Sequence, residues 1–185
     1  MRAVMEAADF KQLINNAKRF LGNSKMFQYI YLKFDGNTVT ATALDGHRVS
    51  RETASIRELD EGFTCYIKPN IPKITQHDRF AELELIDGRL LVTVGDNITG
   101  YVQPEGEYFN VDELIGKEKA KEVNASIFVD PKLLKEALES CAVYATYKEP
   151  VKLEISGKRD CIKIWYGRRG EKNNLKLVLP VSVSE

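Results

Sequence analysis

The chain of 185 residues is long enough to bury one large core, or two small ones, without disulfide support. A composition of 43% hydrophobic and 29% charged residues excludes a disordered chain, and no apolar run approaches the roughly 20 residues needed to span a bilayer. The 27 basic and 27 acidic residues cancel, which argues against a globally basic, indiscriminate nucleic-acid binder but is silent about the field of any one face.

The first residues place Glu6 where a secretory signal would be apolar, so a cytoplasmic location is expected. Cys65, Cys141 and Cys161 are widely spaced, with no C-x-x-C pair. They signal neither a disulfide framework nor a zinc site, and no metal or cofactor is expected.

Asp9 reads as a helix N-cap, followed by Phe10, Leu13, Ile14, Ala17 and Leu21 at three- and four-residue spacing. Gly22-Asn23 then ends the helix. Lys11, Asn15, Lys18 and Arg19 fall off the apolar face, so its outward side is basic, and Lys25 follows in the loop. Ile30, Leu32 and Phe34 alternate with Tyr29, Tyr31 and Lys33, giving a strand with one buried and one partly wet face. A glycine turn at Asp35-Gly36 or Gly36-Asn37 returns the chain through Val39, Ala41 and Ala43.

A second, weaker unit runs through residues 63–67, a proline-marked stretch containing Lys73, and a hairpin around Asp87-Gly88. Pro69 and Pro72 allow only a short helix, over 71–77, because an interior proline removes an amide and clashes with the preceding turn. The Lys- and Glu-rich stretch 112–124 predicts a linker or a solvated helical connector. In the third unit Leu133, Leu134, Ala137, Leu138 and Cys141 define an inward helix face, with Lys132 and Lys135 outward. Strands through Val151, Leu153 and Ile155 and through Ile162, Ile164 and Tyr166 follow. The last, through Leu175, Leu177, Leu179 and Val181, ends in an apolar Leu-Val-Leu-Pro-Val run that reads as an edge strand.

The chain thus repeats itself three times at a period of roughly 60 residues, which predicts an α+β fold of βαβββ units. Such units build a shaped surface more readily than a catalytic pocket. His47 in Asp45-Gly46-His47-Arg48 has neither a neighbouring nucleophile nor an orienting third group. His77 completes no metal spacing. An enzyme is not expected. The plain reading of the Asp-Gly-His-Arg run is a glycine turn with solvated neighbours. The functional one is a strand end offering an imidazole and a guanidinium to a partner.

The run Thr40-Ala41-Thr42-Ala43-Leu44-Asp45-Gly46-His47-Arg48-Val49 resembles the signature in the middle domain of the bacterial DNA polymerase III sliding clamp, the beta subunit. Val129-Asp130-Pro131-Lys132-Leu133-Leu134 and the terminal Leu177-Val178-Leu179-Pro180-Val181 resemble the last half of that clamp's final domain. The resemblance implies a DNA-clamp fold with a clamp domain at 1–122 and a half domain at 123–185. It also implies helices lining a hole, sheets outside, and a non-enzymatic role encircling duplex DNA and tethering polymerase or other clamp-binding-motif proteins, with no membrane partner. The client cleft it implies uses Phe27, Leu44, Gly46, His47, Arg48, Val49, Phe109 and Leu114, with Asp130, Leu133, Leu177, Leu179, Pro180 and Val181. Phe109 stands where the family usually has a proline. The DNA-facing residues it implies are Lys11, Asn15, Lys18, Arg19, Lys25, Lys73, Lys132 and Lys135. A bacterial clamp chain carries six units and closes as a dimer, so three units imply a homo-oligomer, a four-chain ring supplying the same total. The rival expectation is a non-encircling module that binds clamp-binding peptides or the clamp itself.

Overall fold

The computed structural model describes residues 1–123, 126–141, 151–157, 160–166 and 174–181. The chain divides into two compact units, Met1–Gly116 and Lys117–Glu185.

In the first unit β1 (Arg2–Glu6) runs straight into α1 (Ala7–Ala17), followed by a 3-10 turn, Lys18–Phe20. Then come β2 (Ile30–Asp35), β3 (Thr38–Leu44), β4 (Val49–Ser55), β5 (Glu58–Leu59), β6 (Phe63–Ile67), β7 (Phe80–Ile86), β8 (Arg89–Val94) and β9 (Asn97–Val102). They form two antiparallel sheets, ordered β4-β3-β2-β6 and β5-β1-β7-β8-β9. Phe10, Leu13, Ile14 and Ala17 are buried from α1 against Leu32, Phe34, Leu83 and Val92 of the sheets. Burial of each such large side chain stabilises by about 1.5–3 kcal/mol. Phe34 and Phe63 stack across β2 and β6 with centroids 4.4 Å apart. The hairpin turns are those the glycines demand: Gly36 has φ +54°, and Asp87 and Gly88 have φ +47° and +73° in a two-residue turn.

Three local expectations are corrected. Asp9 is not the N-cap: Glu6 occupies that position without a side-chain capping bond, because β1 feeds the helix directly, and Asp9 lies in the first turn. The α-helix ends at Ala17 rather than at Gly22-Asn23, tightening into the 3-10 turn, with Leu21 extended after it. No helix forms over 71–77. Pro72 and Ile74 are buried, and Asp78 Oδ2 accepts from the Thr75 amide (2.7 Å) and hydroxyl (2.8 Å), closing a turn in a helix-free strap. Pro72 disfavours the helical region for Ile71, and the Asp78 carboxylate takes the Thr75 donors into a turn instead.

Helix α2 (Val111–Lys119), within which the division falls, has Asn110 Oδ1 accepting from the Glu113 amide at 3.1 Å. The second unit holds α3 (Pro131–Glu139) and a three-stranded antiparallel sheet, β10 (Lys152–Glu154), β11 (Ile162–Tyr166) and β12 (Asn174–Val178). Leu134, Ala137, Leu138 and Cys141 pack on Ile162, Ile164 and Val178. Leu133, read as inward, is exposed instead, because it stands beside that stripe rather than on it. The terminal strand stops at Val178, so Leu179, Pro180 and Val181 lie beyond the sheet; a proline cannot donate to a ladder. The segment 126–130 carries no regular secondary structure and belongs to no sheet.

Candidate functional site

The Asp45–Arg48 turn joins β3 to β4, and one carboxylate organises it. Asp45 Oδ1 accepts from the amides of His47 (2.9 Å) and Arg48 (2.8 Å), while Oδ2 accepts from Arg48 Nε (2.9 Å) and Nη2 (2.7 Å). The His47 amide, then the guanidinium and amide of Arg48, hold the Asp45 carboxyl down to about 2. Gly46 takes φ +91°, open to glycine and costly for other residues. A side chain at Gly22 would come within 2.9 Å of Asp45 Cα and 3.2 Å of Phe27 Cβ, so the loop after the 3-10 turn packs directly beneath the turn. The Arg48 guanidinium lies 5.0 Å over the Phe20 ring and donates to the Arg19 carbonyl at 3.4 Å. Phe27, Gly46, His47 and Arg48 therefore converge, with His47 exposed and Val49 half-buried beside them. Arg48 is exposed, yet its charge is already committed to Asp45. Leu44 is buried.

Phe109 is exposed and Leu114 half-buried. Next to Phe109 lies a feature sequence reasoning missed. Tyr108 stacks on Tyr31 (centroids 5.4 Å, 15° between planes) and approaches Tyr66 at 6.0 Å. Its hydroxyl donates to the Tyr29 and Thr42 carbonyls, both at 3.3 Å, and burial raises its pKa. Residues 106–112 thereby form one wall of an open cleft of about 340 Å³ on the outer face of the four-stranded sheet. Strand alternation marked Tyr29 and Tyr31 as outward; no spacing linked them to Tyr108.

In the second unit Asp130 is the N-cap of α3, accepting from the amides of Lys132 (2.7 Å) and Leu133 (3.4 Å). Its carboxylate therefore serves the helix. Leu177, Leu179 and Val181 are exposed and Pro180 half-buried, an apolar string at the edge of the sheet.

Of the basic residues, Lys11, Asn15 and Lys18 lie along one line of α1, at i, i+4 and i+7. Lys11 Nζ donates to the Ile74 carbonyl at 3.0 Å, which brings Lys73 on the strap alongside. Arg19 sits in the 3-10 turn, its carbonyl facing Arg48, and Lys25 is exposed in the next loop. Lys132 and Lys135 are exposed on α3, Lys135 paired with Glu139 at 3.6 Å. Among the described residues, no three His, Cys, Asp or Glu side chains converge as a metal site, and no helix is long and apolar enough to cross a membrane.

Two sheets built from repeated halves, with the helix packed between them and the strand-end turn exposed, define the DNA sliding-clamp fold. The chain is similar to a solved putative DNA polymerase III beta subunit from Eubacterium rectale, at 13% identity and a TM-score of 0.81, over 97% of this chain and 50% of that one. It is likewise similar to the DNA polymerase sliding clamp from Bacillus subtilis (14%, TM-score 0.80, 97% and 49%). A third is the DNA polymerase III beta chain from Streptococcus pneumoniae (17%, TM-score 0.79, 100% and 50%). The chain spans about half the length of the solved chains it matches. No protein-family model matches the chain, and no curated protein matches it by sequence.

Proposed function

We propose that this chain is a non-enzymatic, clamp-like processivity factor of the cytoplasm that associates with duplex DNA without reading its sequence and recruits a polymerase or repair partner. The clamp fold over nearly the whole chain is the observation that carries the reading. Residues 1–122 act as a clamp domain and 123–185 as half of one, several copies assembling around DNA, four in a closed ring. The line of Lys11, Asn15 and Lys18, with Lys73 beside it, supports phosphate contact, which suffices for sequence-blind association. Arg19, Lys25, Lys132 and Lys135 join that surface in the assembled form.

Client segments bury apolar anchors on Phe27, Val49, Phe109 and Leu114 of the first unit, and on Leu133, Leu177, Leu179, Pro180 and Val181 of the second. His47 and Arg48 rim the first surface. Leu44 and Gly46 shape it from below, and Asp130 fixes the start of α3.

The helix-free strap favours a second reading, a non-encircling module that engages clamp-binding peptides, because it removes one of the helices a DNA-facing wall would use. Fluorescence anisotropy with two unrelated duplexes, across a salt series, tests DNA association. Equal affinities that fall steeply with salt are expected. No binding at low salt, or binding to one sequence alone, contradicts the reading.

A further inference from the structure

In the first unit the two halves complete each other. β1, which leads the first half, lies beside β7 in the other half's sheet, and β6, which leads the second half, lies beside β2. Each half hands its leading strand to its neighbour.

The second unit contains a single half of this kind. α3 corresponds to α1, and β10, β11 and β12 to β2, β3 and β4. Its leading segment, 126–130, sits as β1 does: the Val181 amide donates to the Phe128 carbonyl at 2.9 Å, as the Arg57 amide does to the Val4 carbonyl at 2.8 Å. Phe128 and Val4 each stand three residues before their helix begins. Ile127 and Val129 pack on their own half's core, as Ala3 and Met5 do on theirs.

The other side of the arrangement is vacant among the described residues. Among the described residues no strand pairs with 126–130 or with the outer side of β10. Phe128 is 65% exposed where Val4 is 6% exposed. Leu153, opposite Ile164 on the core-facing side, is 50% exposed, whereas Leu32 and Leu83 at the matching places are fully buried. An open strand edge with apolar flanks is a template for another strand.

We propose that a second copy of this chain fills the vacancy, the 126–130 segment of each copy adding to the β10 edge of the other about a two-fold axis. The complement of a half is a half, as the first unit shows. A two-fold contact is also self-complementary by construction. The charges of α3 fit the same arrangement. Lys132 and Lys135 occupy its N-terminal part and Glu136 and Glu139 its C-terminal part, so two antiparallel copies bring basic ends to acidic ends. Lys11 reaching the Ile74 carbonyl is the corresponding helix-side contact between halves in the first unit. The paired copies form one complete two-sheet domain from two second units. The inference rests on the fold and not on DNA association.

Full-length chains test it, with Cys141→Ser and Cys161→Ser as background. A Phe128→Cys chain and a size-tagged Glu154→Cys chain, unfolded and refolded together, are treated with a short bismaleimide crosslinker. A covalent pair containing one of each chain is expected, with no comparable product from either chain alone. Light scattering of the unmodified chain should give at least twice the chain mass. Leu153→Glu, whose new carboxylate stays solvated in a single copy, should lower that mass to half or less while the first unit melts unchanged. Single-chain mass at every concentration overturns the proposal. So does a chain carrying both cysteines that crosslinks only within itself, which would show the slot filled from its own chain. Either result leaves DNA association to its separate test.

Discussion

Asp45 holds Arg48 through both the guanidinium and the backbone amide, so the residue that marks the strand-end turn is also the one that shapes it. Arg48 in turn covers Phe20, which ties the turn to the end of α1. Asp45→Ala should free the Arg48 side chain and lower affinity for a clamp-binding peptide about tenfold, since the hydrogen bonds that position Arg48 are lost. Isothermal titration reads the affinity. An unchanged value would show that the turn takes no part in binding.

The same carboxylate makes the turn sensitive to acid. Its folded pKa of about 2 lies below the ordinary 3.8, so its stabilising effect is fully present above the ordinary value and is lost as pH falls through about 2. The amide resonances of His47 and Arg48, which donate to that carboxylate, should shift together as pH falls through that window. Resonances that stay fixed there would show that the carboxylate does not shape the turn.

Gln103 closes a sheet edge with its side chain. Its Oε1 accepts from the Tyr66 amide at 2.7 Å, and its Nε2 donates to the Tyr66 carbonyl at 3.1 Å, as a neighbouring strand would. Gln103→Ala leaves both groups of β6 unpaired and should cost about 1–3 kcal/mol, measured by urea unfolding followed at the tyrosines. A smaller loss would mean that water replaces the amide without penalty.

Leu179 is 69% exposed and outside the sheet, so Leu179→Asp should leave the melting temperature within a degree or two and abolish peptide binding. Retained affinity would remove the terminal segment from the client surface.

Lys18 and Lys73 are exposed on α1's 3-10 extension and the strap, while the Lys11 ammonium is engaged by Ile74. Lys18→Glu with Lys73→Glu should therefore weaken duplex binding uniformly across sequences and reduce the salt slope by roughly one per lost contact. A slope equal to that of the unmodified chain would place DNA elsewhere.

The hairpins of the first unit were legible where a strand follows a period of two and its turn carries a glycine: Ile30, Leu32 and Phe34 are buried as their alternation requires, whereas β1, buried at three consecutive positions, gave no such signal. The Asp-Gly-His-Arg run pointed to its turn, though not to the fact that Asp45 occupies Arg48. Position in the repeat suggested a short helix over 71–77, where the chain instead runs as a strap, and helix periodicity placed Leu133 inward although it stands beside the apolar stripe. Tyr108 and Gln103 were illegible for another reason. Their partners, Tyr31 and Tyr66, lie 77 and 37 residues away in sequence, and only the folded sheets bring them together. The exchange of leading strands was hidden likewise, because local pattern does not say which sheet a strand joins.

The most direct test of clamp action is retention on a closed circle. The chain is assembled by refolding in the presence of circular duplex DNA, washed at high salt, and the DNA is then cut once. Protein that survives the wash on the circle and is released by the single cut is the expected result. Loss at equal rates from circular and linear DNA, or retention after the cut, would contradict encirclement.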